Sequence, residues 1–264
     1  MTMLSITSRD NAQYKELRRL AEQAQARRKA GQSLLDGVHL CATWLLQQGA
    51  PQLCVVGESA LANAEVVDIV QRCEQGHTRV IVLSDTLFHP LSQVEHGIDL
   101  LFVVATPTPD VPSALTQASV LLDRVQDPGN LGSILRSAAA AGVKQVFCSA
   151  GTVQAWSPKV LRAGMGAHFV LDIFEGVELA ALITDAKIPV IATSSHTEQS
   201  LYQLDLSAPV AWLFGHEGQG VDEALLTAAT HRVAIPHLGQ VESLNVAASA
   251  AVCFFEQVRQ TLAH

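Results

Sequence analysis

The sequence predicts an α/β protein with a mainly parallel sheet, preceded by a smaller α/β domain. Short apolar runs rich in β-branched residues alternate with helix-patterned stretches along most of the chain. The segment LFVVATPTPDVPS, residues 101–113, ends a strand in three closely spaced prolines, which stops regular structure. The 264 residues are 48% hydrophobic, enough for more than one core and far from a disordered composition. We therefore divide the chain into residues 1–106, a linker at 107–116 and residues 117–264.

In the first part the spacing of apolar residues predicts a helix from Ala12 to Lys29 and another from Val38 to Gln48. Leu53–Val56, Arg79–Leu83 and Leu100–Ala105 read as short buried strands. In the second part the strand-like runs are Ser119–Leu122, Gln145–Cys148, Val190–Thr193, Val210–Phe214 and Arg232–Ile235. Helical patterns lie between most of these runs, which implies a sheet covered on both faces. Ligands of such sheets sit at the carboxyl ends of the strands, so the loops that follow them are where chemistry is sought.

Charge and cysteine usage narrow the class. The formal net charge is −8, but residues 1–40 carry +3 and the rest −11, so a polyanion is drawn first to the N-terminal segment. Its candidate contacts are Arg9, Lys15, Arg18, Arg19, Arg27 and Arg28; a solvated helix face is the alternative. Met1–Ala30 has neither a secretory apolar run nor a membrane span, so a soluble cytoplasmic protein is expected. The five cysteines lie far apart without zinc spacing, and neither His216 nor His237 stands in a ligand cluster, so buried thiols and no metal are expected.

Three loops carry functional signals. In LLDRVQDPGNLGSILRSAAAAGV, a strand ends near Leu122, a Pro128-Gly129-Asn130 turn follows, and a small-residue helix opens near Leu131. The helix start offers free N–H groups, but the third glycine of a dinucleotide fingerprint and the lysine of a phosphate loop are missing. Arg136 lies among apolar and small residues, either as a salt-bridge partner or as a fork for phosphate or hydroxyl groups. The second loop, WLFGHEGQGV, packs Gly215, Gly218 and Gly220 around Glu217, either as a tight turn or for close ligand approach. The third, IPHLGQVESLNVAASAA, bends at Pro236 and Gly239 and leads through Ser243, Leu244 and Asn245 into an Ala-rich helix, for which Ser243 could be an N-cap.

Together, in this order, DPGNLGSILRSA, FGHEGQGV and IPHLGQVESLNVAASAA resemble the three motifs of the SpoU (TrmH-like) branch of the SPOUT RNA methyltransferases. The resemblance covers about residues 118–258. More weakly, ITSRDNAQYKELRRL and LLDGVHLCATWLL are similar to the L30e-like substrate-binding domain that precedes the catalytic domain in many ribosomal-RNA members. The resemblance implies a C-terminal trefoil knot and a homodimer with its site near the subunit interface. It also implies S-adenosylmethionine bound by Gly215, Ile235 and Leu244, with Leu213, Gly220, Pro236 and Leu238 nearby.

The implied reaction is methyl transfer to a ribose 2′-hydroxyl of RNA, most often ribosomal, with transfer RNA as a variant substrate. Arg136 matches the motif-one arginine; Asn130, Glu217, Ser243 and Asn245 match the remaining polar positions. Two positions depart from the family pattern, His216 where a small or amide residue is commoner and Gly164 where a serine is common. A noncatalytic RNA-binding protein on the same fold and a nucleotide-binding oxidoreductase are the competing classes; the latter lacks its glycine fingerprint.

Overall fold

The computed structural model describes residues 3–94, 97–240 and 243–263. The chain forms two compact units, one of residues up to Pro107 together with Trp156–Phe169, the other of Thr108–Ala155 and the residues from Val170 onward.

The first unit contains β1 (Leu4–Ile6), α1 (Ala12–Glu22), α2 (Ala24–Ala30), β2 (Gln32–Asp36), α3 (Val38–Gln47), β3 (Leu53–Gly57), α4 (Ala64–Gln75), β4 (Arg79–Leu83), α5 (Asp85–Phe88) and β5 (Leu100–Ala105). Its sheet runs in the order β1-β4-β3-β5-β2 and is mixed: β1 and β3 pair parallel with β4, while β5 pairs antiparallel with both β3 and β2. Tyr14, Leu17 and Leu20 of α1 pack with Val55, Ile81, Leu83 and Phe88 in the core.

The single helix expected over Ala12–Lys29 is two helices. Gln23 is extended between them at φ −119° and ψ 112°. The buried Arg27 donates from Nη1 to the carbonyls of Leu20 at 2.7 Å and Ala21 at 3.3 Å, closing the end of α1. A guanidinium reaching back across the break supplies what an uninterrupted helix would have supplied by its own N–H groups.

The second unit contains β6 (Ser119–Leu122), α6 (Pro128–Ala140) and β7 (Gln145–Ser149). Helix α7 (Pro158–Gly164), in the segment assigned to the first unit, interrupts it in sequence. The second unit continues with β8 (Asp172–Val177), α8 (Leu179–Thr184), β9 (Val190–Thr193), β10 (Ala211–Phe214), α9 (Glu223–Ala228), β11 (His231–Val233) and α10 (Val246–Leu262). All pairings are parallel, in the order β11-β9-β10-β6-β7-β8. Every residue of the central strands β6 and β10 is buried, which is why they read as continuous apolar runs.

Strands β1, β2 and β8 are not foreseen by the periodicity. β1 has three residues, β2 ends in Asp36, and β8 holds Glu175 and Gly176 in its middle, so none carries a clear apolar run. The segment Trp156–Phe169, which the sequence boundaries place in the second part, packs in the first unit. Gln48 donates to the Phe169 carbonyl at 2.7 Å, Arg162 to that of Gln93 at 2.9 Å, and the Trp44 and Phe169 rings meet edge to face. Gly164 is buried there at the end of α7.

The strand order sets the site. From β6 the chain moves through β7 to β8 on one side, whereas from β10 it continues to β11 on the other. The loops leaving β6 and β10 therefore diverge between neighbouring strands, at the topological switch point where α/β sheets open a crevice.

Candidate active site

At that point α6 starts with Asp127 as N-cap and Pro128 at its first turn, and Asp127 Oδ1 accepts from Asn130 N at 2.8 Å. The cap aims the Asn130 side chain away from the helix and toward the loop after β10. There Glu217 Oε1 accepts from Asn130 Nδ2 at 3.0 Å and from Asp127 N at 3.0 Å, and Oε2 accepts from Gln126 N at 3.2 Å. On its other side Asn130 Oδ1 accepts from Asn245 Nδ2 at 2.8 Å. Asn245 is itself the N-cap of α10, its Oδ1 accepting from Ala247 N at 2.9 Å and Ala248 N at 3.2 Å. One chain of hydrogen bonds, Glu217–Asn130–Asn245, thus joins the three motif loops.

Partial burial pushes the Glu217 carboxyl up, but the Asn130 amide and the surrounding backbone N–H groups together hold it below the ordinary carboxylate range. Glu217 is therefore a fixed anion that ties loops together, unsuited to giving or taking a proton near neutrality.

The turn bearing Glu217 depends on backbone proximity. A Cβ on Gly215 would stand 2.2 Å from the Gly220 carbonyl carbon and 2.2 Å from Val221 N, so no side chain fits there. Gly220, at φ +71°, supplies the left-handed residue that closes the turn. Gly215 is thus demanded by its own loop, whatever ligand lies beside it.

Arg136 and Ser243 stand apart from the hydrogen-bonded chain. Arg136 shares the exposed face of α6 with Gly129 and Ser133, about 9 Å along the axis from Asn130. It makes no ion pair or hydrogen bond among the described residues. Ser243 is exposed and does not cap α10; Asn245 does, because its carboxamide both receives the first N–H groups and reaches Asn130.

The residues expected around a cofactor fall into two sets. Ile235 is half-buried, Pro236 and Gly220 are exposed, and Leu238 and Leu244 are apolar side chains left at the surface. Leu213 is completely buried in the core cluster with Leu121, Phe147 and Ala192, so only its backbone is open to a ligand role. In the first unit, Arg9 and Arg28 are exposed; Lys15 pairs with Asp10, Arg18 with Glu22 and Arg19 with Glu16. Arg27, expected at that surface, is the correction: it is 6% exposed and committed to helix carbonyls.

The periodicity also missed Asp123 and Arg124, just past β6. The Asp123 carboxylate is buried and receives Arg124 Nε at 3.0 Å, Arg124 Nη2 at 3.1 Å and Asp222 N at 2.9 Å, binding the end of β6 to the loop after β10. Arg124 adopts a left-handed conformation, φ +56°. An acidic residue directly after a buried strand is the only sequence signal for this pair. No group of three or more His, Cys, Asp or Glu able to hold a metal occurs among the described residues. No helix there is long and apolar enough to cross a membrane.

An all-parallel sheet whose switch-point loops are stitched into one polar network marks an α/β fold with a loop-built candidate site. The chain belongs to the SpoU rRNA Methylase family, whose model matches residues 117–255. It is 37% identical to an uncharacterized tRNA/rRNA methyltransferase of Synechocystis over 97% of this chain and 94% of that protein. It is 29% identical to the 23S rRNA (guanosine(2553)-2′-O)-methyltransferase of Bacillus subtilis, over 96% and 98% of the two chains. Among solved structures, the SpoU methyltransferase AviRb from Streptomyces viridochromogenes in complex with the cofactor AdoMet superposes with a TM-score of 0.85 at 25% identity, covering 96% and 98%.

Proposed function

We propose that this chain transfers the methyl group of S-adenosylmethionine to a ribose 2′-hydroxyl of ribosomal RNA, acting as a cytoplasmic homodimer. The observation that carries the reading is the Glu217–Asn130–Asn245 chain, which brings together one polar position from each of the three motifs. The name of the Bacillus relative and the cofactor in the Streptomyces neighbour support substrate and methyl donor. In this reading residues 117–264 are the catalytic domain with the trefoil knot, and residues 1–106 an L30e-like domain that captures RNA.

The loop after β11 suits the methyl donor: Leu238 and Leu244 are exposed apolar side chains and Ile235 is half-buried, apolar groups that a purine can cover. Ile235, Pro236, Leu238 and Leu244 would enclose the adenosine, and the backbone of Leu213, Gly215 and Gly220 would receive its polar groups. When bound, the cofactor supplies a sulfonium-activated methyl group.

The protein's own task is alignment. As the O–CH₃ bond forms and the S–CH₃ bond breaks, the 2′-hydroxyl loses its proton to solvent. Arg136 holds that oxygen and an adjacent phosphate by donating N–H groups; an arginine is too weakly acidic to serve as the base near neutral pH. Glu217, Asn130 and Asn245 hold the loops on which this alignment depends, and Ser243 orients the hydroxyl from the start of α10.

Dimerisation is assigned to α10, where Ala248, Phe255 and Leu262 recur every seven residues and Phe255 and Leu262 are 48% and 82% exposed. Sedimentation analysis of Phe255→Glu should give monomer; an unchanged dimer would move the interface elsewhere.

The direct test is methyl transfer from labelled S-adenosylmethionine to unmodified ribosomal RNA and ribosomal subunits, with mapping of ribose methylation. Label at one 2′-oxygen, reduced at least about 100-fold in Arg136→Ala while cofactor binding persists, is expected. Absence of label in every ribosomal substrate would overturn the reading, and label in transfer RNA would redirect it.

A further inference from the structure

The turn that carries Glu217 is closed at both ends by backbone bonds, His216 N to Gly220 O at 3.0 Å and Gly220 N to His216 O at 2.8 Å. Two of the N–H groups inside it are those of Gly218 and Gln219. Both donate to a single acceptor, His216 Nδ1, at 2.9 Å and 3.2 Å. An imidazole nitrogen accepts only when it carries no proton, so these two bonds require a bare Nδ1, with the ring hydrogen on Nε2.

Resting on the methyltransferase reading, we propose that His216 is a positioning residue for Glu217. By taking two N–H groups through Nδ1 it holds the Glu217 carboxylate in its bridge to Gln126, Asp127 and Asn130, and protonation of the ring releases the turn. Methyl transfer is thereby made sensitive to mild acid through a residue that acts by way of Glu217.

The chemistry explains why this position admits histidine. Asparagine carries Oδ1 on Cγ, where histidine carries Nδ1, so either side chain can receive the same two N–H groups; only histidine loses the acceptor on gaining a proton. The charged groups around the turn are Glu217 and Asp222 on its own loop, Asp123 and Arg124 beyond β6, and Asp127 at the start of α6. A protonated ring is opposed by geometry, because an Nδ1–H would point at two other N–H groups.

The experiment compares wild type, His216→Asn and His216→Ala in methyl transfer from about pH 8 to about pH 5.5, the range over which imidazoles commonly gain a second proton. Near pH 8, His216→Asn should stay within about twofold of wild type and His216→Ala should lose about tenfold in kcat, the scale of a lost positioning hydrogen bond. Toward acid, wild type should fall toward the alanine variant while His216→Asn stays level. A merely structural histidine would leave wild type and His216→Asn with the same acid limb, and that result, or an alanine variant at wild-type rate, overturns the proposal.

Two measurements need no turnover. Nitrogen NMR of the ring should find the proton on Nε2 at neutral pH, and a proton on Nδ1 sinks the proposal. Hydrogen exchange at Gly218 and Gln219 should be protected in wild type and His216→Asn, and unprotected in His216→Ala and in acidified wild type. Protection unaffected by the alanine substitution also overturns it. If wild type methylates no RNA, the methyltransferase reading fails, while tautomer and exchange still decide whether His216 holds the turn.

Discussion

The basic surface of the first unit and the switch-point loops of the second place charge in opposite ways. In the first, Lys15, Arg18 and Arg19 are held by single acids on exposed surface, and Arg9 and Arg28 are exposed. Exposed pairs of this kind contribute little to stability, and a phosphate can replace the acid without repacking anything. In the second, Glu217 accepts from two loop N–H groups and a carboxamide, while the buried Asp123 ties the loop after β10 to the end of β6. Such groups are costly to move. The contrast teaches that an adaptable basic surface and a preorganised site use the same side-chain chemistry, separated by how many donors each anion receives.

The largest effect should come from breaking the preorganised side. Gly215→Ala forces a methyl group into the Gly220–Val221 backbone and should destabilise the protein by about 3 kcal/mol or more in urea unfolding. Gly218→Ala, whose new methyl group would meet nothing closer than the His216 ring at 3.7 Å, should change it by less than about 0.5 kcal/mol. Equal midpoints for the two variants would refute the close-approach argument.

The basic surface gives an intermediate effect. Arg9→Ala with Arg28→Ala should leave stability intact and reduce the salt slope of RNA binding by about 1.5 to 2. Arg27→Met should do the reverse, losing about 1–3 kcal/mol through the unsatisfied Leu20 and Ala21 carbonyls with no change in slope. A reduced slope in Arg27→Met would return that residue to the RNA surface.

The smallest effect is a difference in sign with pH. Burial raises the Asp36 carboxyl despite bonds from Gln93 N and the Ser92 hydroxyl and the charge of Arg162, so the folded state holds that proton more tightly than the unfolded one. Its cost is absent below the unfolded pKa and full once pH has risen past the folded one. Asp36→Asn should therefore gain a few tenths to about 1 kcal/mol near neutral pH and nothing in acid. Glu217 is lowered instead, so its contribution is present above the unfolded pKa and lost as pH falls through the folded one; Glu217→Gln should lose stability near neutral pH. Stability curves that move in the same direction for both variants would erase the distinction between the units.

Much of the fold was legible because buried strands announce themselves. β6 is apolar from Val120 to Leu122 and β10 throughout, and their neighbours lie in the same parallel sheet. β1, β2 and β8 were not, since short strands and strands holding Glu175 or Asp36 satisfy their N–H groups without an apolar signature. In the site, the motif residues Asn130, Glu217 and Asn245 could be named from the chain, but which of them touch could not. Arg27 shows the limit plainly: in a basic run it is indistinguishable from Arg28, yet only one of the two turns inward to helix carbonyls.

By itself the sequence determined the alternation of strands and helices, the glycine-dense turn and the order of the three motifs, since these follow from local pattern and backbone freedom. Only the tertiary structure decided that Gln23 breaks the first helix, that Trp156–Phe169 packs in the first unit, and that Glu217, Asn130 and Asn245 form one chain. The reason is physical: hydrogen bonds that join residues 87 and 115 positions apart exist only after the sheet has set β6 beside β10.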